Sequence, residues 1–389
     1  MPFVSLVRRS RRNGPRVPTA GTRVLILSAT VGQGHEGAAR ELARRLHRLG
    51  VETEVRDFLD ALPAVARRVL REGYFPTVEH APRLLDWIFE GLEHRRWLQR
   101  VGELLCRTAE RAVLGWARGA DAVVSTYPLA SQTLGELRRR SALAVPAITF
   151  LTDPAAYRLW CHPDIDHHLT VTQATATDGA RYGVHLRAVG ALCAPRFSRP
   201  AARSARERLR GELGLPVDAP VVLVSAGSLG LGQVLETVDA VLRHPSVRVV
   251  VLCGRNAALR RRLTGRSRVV ASGWRDDVAE LMAAVDVLVH NAGGLSCTEA
   301  LVAGLPVVTY LPIPGHGRAN AAVLARAALA PWPRDADELV AALDAVLARP
   351  RAMPGTRRAT TAADPAVVVA QLADSRAAAA RPVPRSASA

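Results

Sequence analysis

Lysine is absent from this 389-residue chain, so all 52 basic residues are Arg, set against 35 acids for a formal net charge of +17. Such a surface attracts anions, but charge alone does not choose between nucleic acid, acidic lipid headgroups and phosphorylated small molecules. An Arg- and Ala-rich genome is the plainer alternative source of part of the bias. Aromatic residues make up only 4% of the chain, and the rings that a single-strand binder interleaves with its basic residues are missing. No nucleic-acid partner is expected. The five cysteines are an odd number with no CxxC pair, which argues against a disulfide framework or a zinc ribbon and fits a reducing compartment. No run reaches the roughly 18 consecutive apolar residues of a membrane span, and no apolar signal core follows the basic start MPFVSLVRRSRRNGPR. Contact with a membrane would be made from its surface.

What is present is a chain that is 49% hydrophobic and 22% charged, long enough for two domains at about 150 residues each. Residues 1–21 carry five Arg and no acid and read as a disordered basic arm. Order is expected from Arg23. VLILSA (Val24 to Ala29) has the pattern of a buried strand, TVGQGHEG is a glycine loop, and AARELARRLHRLG is apolar at helical spacing up to Gly50. VETEVRDF, DAVVSTYP, PAITFLTDP and HHLTVTQ supply further strands, with helical patterns through about residue 118. Strands alternating with helices imply an α/β fold with parallel sheets.

The pattern restarts at Pro220: PVVLVSAGSLGLGQVLETVDAVL is again strand, glycine loop and helix. RVVVLCG, RVVASGW, VDVLVHNAGG and GLPVVTY follow as strands, each ending where an open parallel sheet places ligands. The predicted organisation is a domain at 22–195, a linker at 196–218, a second domain at 219–350, a helical segment at 351–375 and a disordered tail at 376–389.

Three stretches carry chemistry. Gly32-Gln33-Gly34-His35-Glu36-Gly37 satisfies GxGxxG after a strand, and Glu52 is placed to serve as a ribose-binding acid if the loop holds a dinucleotide. Physically the loop says less: backbone can approach a ligand, and helix N-terminal amides favour anions of any kind. His35 stands in the first helical turn, where the dipole lowers an imidazole pKa and helps keep it a neutral base; a solvent-facing histidine at a helix start is the plainer reading. Ser225 to Gly230 has the small residues that bring amides against a diphosphate, or that make a tight turn. Asn291-Ala292-Gly293-Gly294-Leu295-Ser296-Cys297-Thr298-Glu299 puts Glu299 one turn into a helix, placed to take both ribose hydroxyls of a nucleotide. The dense polar run from Cys161 to His168 contains Asp-x-Asp and three His, but no longer-range spacing supports a metal site.

Gly273-Trp274, AGGLSCTEAL, GLPVV, the Pro314 to Asn320 run and the early SATVGQGH resemble the GT-B glycosyltransferases. The nearest resemblance is to monogalactosyldiacylglycerol synthases and processive diacylglycerol glucosyltransferases, with the peptidoglycan lipid-intermediate N-acetylglucosaminyltransferase more distant. It spans about residues 22–330. The resemblance implies two Rossmann-like domains facing across a cleft, the first binding a lipid acceptor and the second a UDP-sugar. Donor contacts would come from Gly227, Ser228, Gly273, Trp274, Gly293, Gly294, Leu295, Ser296, Glu299, His316, Arg318 and Asn320. Gly32 and Gly34 would form the acceptor loop, His35 the base, and Asp153 a carboxylate that orients or replaces it. The family's reaction is inverting and uses neither metal nor other cofactor, with the UDP-sugar as co-substrate.

Two departures bear on specificity. Gly315-His316-Gly317 stands where the glycolipid enzymes usually read Gly-Gln-Glu, and GGLS replaces GPGT, so galactose, glucose and N-acetylglucosamine all stay open. The expected activity is transfer of a hexose or N-acetylhexosamine to a membrane lipid, diacylglycerol first, by a cytoplasmic enzyme at the inner face of the membrane. The Arg-rich arm and the stretches around 66–71 and 86–111, the last with Trp87, Trp97 and Arg95, suit contact with anionic lipid, and a core-facing helix with a solvated basic face accounts for them equally well. Transfer to a small secondary metabolite, UDP-sugar 2-epimerisation, an Arg-rich binding protein and a dehydrogenase remain as competing readings, and the oligomeric state is open.

Overall fold

A computed structural model describes residues 21–199, 202–291, 294–349 and 363–380; most of the expected N-terminal arm and the end of the expected tail lie outside them. β1 (Arg23–Ser28), β2 (Glu52–Asp57), β3 (Ala122–Ser125), β4 (Ala147–Leu151), β5 (His167–Thr170) and β6 (Leu186–Ala188) form one sheet in the order β2-β1-β3-β4-β5-β6. Every pairing in it is parallel, for example Ile26 opposite Val55 and Val124. β3 and β4, and β1 after Arg23, are largely apolar and buried because helices cover both faces. β2, at the edge, is charged and half exposed, which blunts further strand pairing.

The helices of this half are α1 (Gln33–Arg48), α2 (Ala64–Arg68), α3 (Tyr74–His80), α4 (Pro82–His94), α5 (Arg96–Trp116), α6 (Pro128–Arg139) and α7 (Gln173–Gly179). A second parallel sheet has the order β11-β10-β7-β8-β9, from β7 (Val221–Ser225), β8 (Arg248–Leu252), β9 (Val269–Ser272), β10 (Val287–His290) and β11 (Val307–Thr309). α8 (Arg203–Glu212), α9 (Val234–Leu242), α10 (Ala257–Leu263), α11 (Val278–Ala284), α12 (Leu295–Val302), α13 (His316–Arg326) and α14 (Ala336–Leu347) accompany it, and α15 (Pro365–Ala380) ends the described chain. In each sheet the first strand lies between its successors, so the crevice beside β1 and β3 and that beside β7 and β10 are switch points where ligands bind.

Two connections depart from the sequence-based expectation. The expected linker contains α8, whose Arg210 is 1% exposed yet fully used, donating to the Ala284, Val217 and Ala219 carbonyls and pairing with Asp286 at 2.7 Å. Such satisfaction is what lets an arginine be buried, and it fastens α8 to the second sheet. The expected tail from 376 is helix up to Ala380. This last helix returns to the first half, burying Ala366, Val368, Val369, Ala370 and Ala373 in the core that holds Val24 and Ile26.

Candidate active site

The C-terminal ends of both sheets open into one cavity of about 980 Å³, lined by residues of both halves. Among them are Gly32, Gly34 and His35 at the start of α1. His35 Nδ1 lies 2.7 Å from the Thr126 carbonyl and 3.1 Å from the Thr152 hydroxyl. A carbonyl can only accept, so Nδ1 carries the proton and Nε2 keeps its lone pair. Tyr127 packs edge-on to the ring at 5.3 Å and Trp160 lies at 5.9 Å. Burial lowers the imidazole pKa and outweighs the pull of Asp153 and the Thr126 bond, with His316 adding to the lowering. Burial, more than the helix dipole expected from the sequence, is the leading cause of this shift.

Asp153, at the end of β4, is buried. Its carboxylate accepts from Tyr157 Oη at 2.8 Å, Trp160 Nε1 at 3.0 Å and Asn320 Nδ2 at 3.4 Å. Burial pushes this carboxyl up, but His316, His35 and the two aromatic donors together hold it below the usual range, so it stays ionised. His35 gives its Nδ1 proton to the Thr126 carbonyl rather than to Asp153. The orienting bond expected from Asp153 therefore belongs to that carbonyl, and Asp153 acts on His35 through charge. Tyr157, Trp160, Thr126 and Thr152 carry no motif in the sequence; the only trace is an aromatic pair four and seven residues after the acid.

Opposite His35 stand the loops of the second half. Gly227, Ser228, Gly273, Trp274, Gly294, Leu295, Ser296, Glu299 and His316 all line the cavity; Gly293 lies outside the described residues. Gly227 and Gly294 have φ of 73° and 72°, a left-handed backbone that favours glycine. Gly294 turns the chain from β10 into α12, whose start carries N–H groups left free by the helix. Glu299 has no hydrogen bond or ion pair among the described residues, and burial pushes its carboxyl up to about 8 while Arg196 draws it partly back. Trp274 Nε1 donates to Asp276, and Arg255 lies over the ring.

The two helix starts meet closely. A Cβ on Gly37 would lie 2.6 Å from Leu295 Cδ2, so any larger residue in α1 would have to displace the Leu295 side chain of α12. Two expected donor residues face elsewhere: Arg318 pairs with Asp86 at 3.3 Å, and Asn320 joins Asp153 and accepts from the Ala155 amide at 2.9 Å. Neither lines the cavity; both hold the halves together. Gly317 packs so tightly that a Cβ there would come within 2.8 Å of Ile313, a physical reason for the glycine at this departure from the Gly-Gln-Glu pattern.

Glu52 pairs in register with Arg23 at the start of β1, the far end from the glycine loop, so it does not serve a dinucleotide there. In the Cys161 to His168 run, Asp166 is taken by Arg138 and the Ala147 amide, and His162 is packed against Gly135. Among the described residues no three His, Cys, Asp or Glu are grouped to hold a metal ion. The part of the cavity wall formed by α4 and α5 is apolar, with Leu85, Ile88 and Leu92 of α4 and Leu98, Val101 and Leu105 of α5. Beyond it, Trp97, Val101 and Leu104 are 54%, 57% and 65% exposed, an apolar face on a protein surface, while Arg95 lies over Trp87.

Residues 35–192 match the family model of monogalactosyldiacylglycerol (MGDG) synthase, and residues 221–349 match that of the group 1 glycosyl transferases. A processive diacylglycerol beta-glucosyltransferase of Bacillus pumilus is 25% identical over 311 residues, 77% of this chain and 80% of that one. Among solved structures, MurG of Acinetobacter baumannii has a TM-score of 0.57 at 19% identity, covering 91% of this chain and 99% of its own. The glycotransferase of kitacinnamycin has a TM-score of 0.59 at 18% identity, covering 92% and 100%. The two-sheet architecture is thus shared along nearly the whole length of these structures.

Proposed function

We propose that this chain, a GT-B glycosyltransferase that resembles the monogalactosyldiacylglycerol synthases and processive diacylglycerol glucosyltransferases, moves a hexose or N-acetylhexosamine from a UDP-sugar to a membrane-lipid hydroxyl. Diacylglycerol is the favoured acceptor. The observation that carries the reading is the single cavity in which a histidine with a free Nε2 faces glycine loops and a helix start across an apolar wall.

His35 Nε2 takes the proton of the acceptor hydroxyl as that oxygen bonds to the anomeric carbon from the face opposite UDP. The bond from this carbon to the UDP oxygen breaks with its electron pair, giving inversion. The imidazolium so formed lies beside ionised Asp153, which stabilises it by charge. Amides at the α12 start, with Gly227 and Ser228, receive the charge developing on the diphosphate, so that no metal is required of the mechanism. Glu299 takes the ribose hydroxyls, Gly273 and Trp274 flank the base, and His316, at the start of α13, faces the diphosphate and the sugar it carries.

The apolar wall of α4 and α5 receives the acyl chains. The exposed Trp97, Val101 and Leu104, with Arg95, Arg96 and Arg100, rest on an anionic leaflet. No described helix is long and apolar enough to cross a membrane, and docking at the cytoplasmic inner face completes the reading.

The test is incubation of the purified protein with diacylglycerol vesicles and a panel of UDP-sugars, following UDP release and lipid mass together. Diacylglycerol gaining one hexose or N-acetylhexosamine per UDP supports the reading. UDP-sugar consumed with no lipid product overturns the acceptor assignment.

A further inference from the structure

Helix α4 belongs to the acceptor half, yet Asp86 and Phe89 on one of its stripes meet the donor half. Asp86, Phe89 and Glu93 follow each other at i, i+3 and i+7 and so share a face. Asp86 Oδ1 accepts from the Gly315 amide at 2.6 Å, and its other oxygen pairs with Arg318 at 3.3 Å. Both partners belong to the first turn of α13 or its cap, where a carboxylate is favoured by the free amides and the helix dipole. Phe89 lies 5.4 Å from the His316 ring. Gly315 has φ of 74°, and a Cβ there would fall 2.5 Å from Phe89 Cδ2, so the contact is built for a glycine against an aromatic ring. Glu93 fixes the far end of α4, accepting from the Arg158 amide at 2.7 Å and from Tyr182 Oη at 2.9 Å.

The neighbouring stripe, Leu85, Ile88 and Leu92, lines the cavity. One rigid helix therefore touches the space assigned to the lipid on one stripe and the start of α13 on the next. We propose that Asp86 is a positioning residue that couples the two substrates: lipid packed against α4 steadies Asp86, Asp86 steadies the start of α13, and His316 is held toward the donor. This rests on the proposed donor and acceptor sites. Coupling of this kind is reciprocal, so the donor tightens the lipid as much as the lipid tightens the donor.

The test is calorimetric titration of UDP into the full chain in dodecyl maltoside micelles, with and without dioleoylglycerol, for the wild type, Asp86→Ala and Asp86→Asn. Dioleoylglycerol should tighten UDP binding to the wild type about tenfold, a usual size for coupling between sites. Asp86→Ala should bind UDP equally with and without the lipid, and Asp86→Asn, which keeps an acceptor for the Gly315 amide but loses the charge facing Arg318, should retain part of the effect. Equal coupling in Asp86→Ala and wild type, or no coupling in a wild type that binds UDP, overturns the proposal while leaving the donor site standing. A wild type that binds no UDP overturns the donor site and the proposal together. If Asp86→Ala does not give a cooperative melt, Asp86→Asn decides: reduced coupling supports the proposal and unchanged coupling overturns it.

Discussion

Replacing Gly37 by alanine sets two effects against each other. Gly37 lies within α1, so alanine there strengthens the helix by up to about 1 kcal/mol. The new methyl would fall 2.6 Å from Leu295 Cδ2, with Leu295 Cγ at 3.9 Å, and overpacking of this order costs about 1–3 kcal/mol. That strain falls on the contact between α1 and α12, where His35, the proposed base, and the amides assigned to the diphosphate must face each other. At 1.36 kcal/mol per tenfold, kcat/KM for UDP release should fall by about 5- to 150-fold, while the melting temperature holds or falls. Leu295→Val removes the colliding δ-methyl, so adding it to Gly37→Ala should recover activity beyond what the two single changes predict together. A Gly37→Ala enzyme within twofold of wild type, or a double variant no better than Gly37→Ala alone, would refute the reasoning.

Asp153→Asn removes a charge that raises the His35 pKa, so the acid limb of the rate profile should move to lower pH while the plateau kcat drops about 10- to 100-fold; an unmoved limb would count against coupling through charge. Glu299→Gln should raise the donor KM about tenfold with little change in kcat, measured by steady-state kinetics and UDP titration. The same variant should flatten a pH dependence of stability: burial raises the Glu299 carboxyl from 4.5 to about 8, so wild-type stability falls as pH rises from 4.5 toward 8 and that of Glu299→Gln does not, which urea unfolding at stepped pH would record. His168 and His290 are buried and lowered from 6.5 to about 4. The stability that depends on their being neutral is complete above pH 6.5 and lost as pH falls toward 4, by up to about 3 kcal/mol each, which urea unfolding at stepped pH would record.

The strands that were legible are those whose residues are apolar throughout, such as VLILS and VVLVS, because burial between two helical layers leaves no polar face. β6, three residues reading LRA, carries no such pattern and is formed by pairing with β5. The glycine loops and Glu299 were legible because backbone approach and a carboxylate one helical turn in are local features. The network around Asp153 was not: Asn320 is 167 residues away in the chain and arrives only when the halves meet. The same holds for Asp86, an ordinary helix acid in sequence that finds its partners 229 and 232 residues on, at Gly315 and Arg318. Likewise α8 inside the expected linker declares itself only through Arg210, whose partners come from the end of α11 and the turns before β7 and β10.

At the centre of the account, the acceptor's proton leaves on Nε2 of His35 in the cleft between the halves. The most direct measurement is the rate of sugar transfer by His35→Gln, with UDP affinity determined on the same sample. Transfer about 10²- to 10⁴-fold slower, the usual weight of a general base, with UDP affinity unchanged, is the predicted result. Transfer within threefold of wild type, or a loss explained by weaker UDP binding, would contradict it.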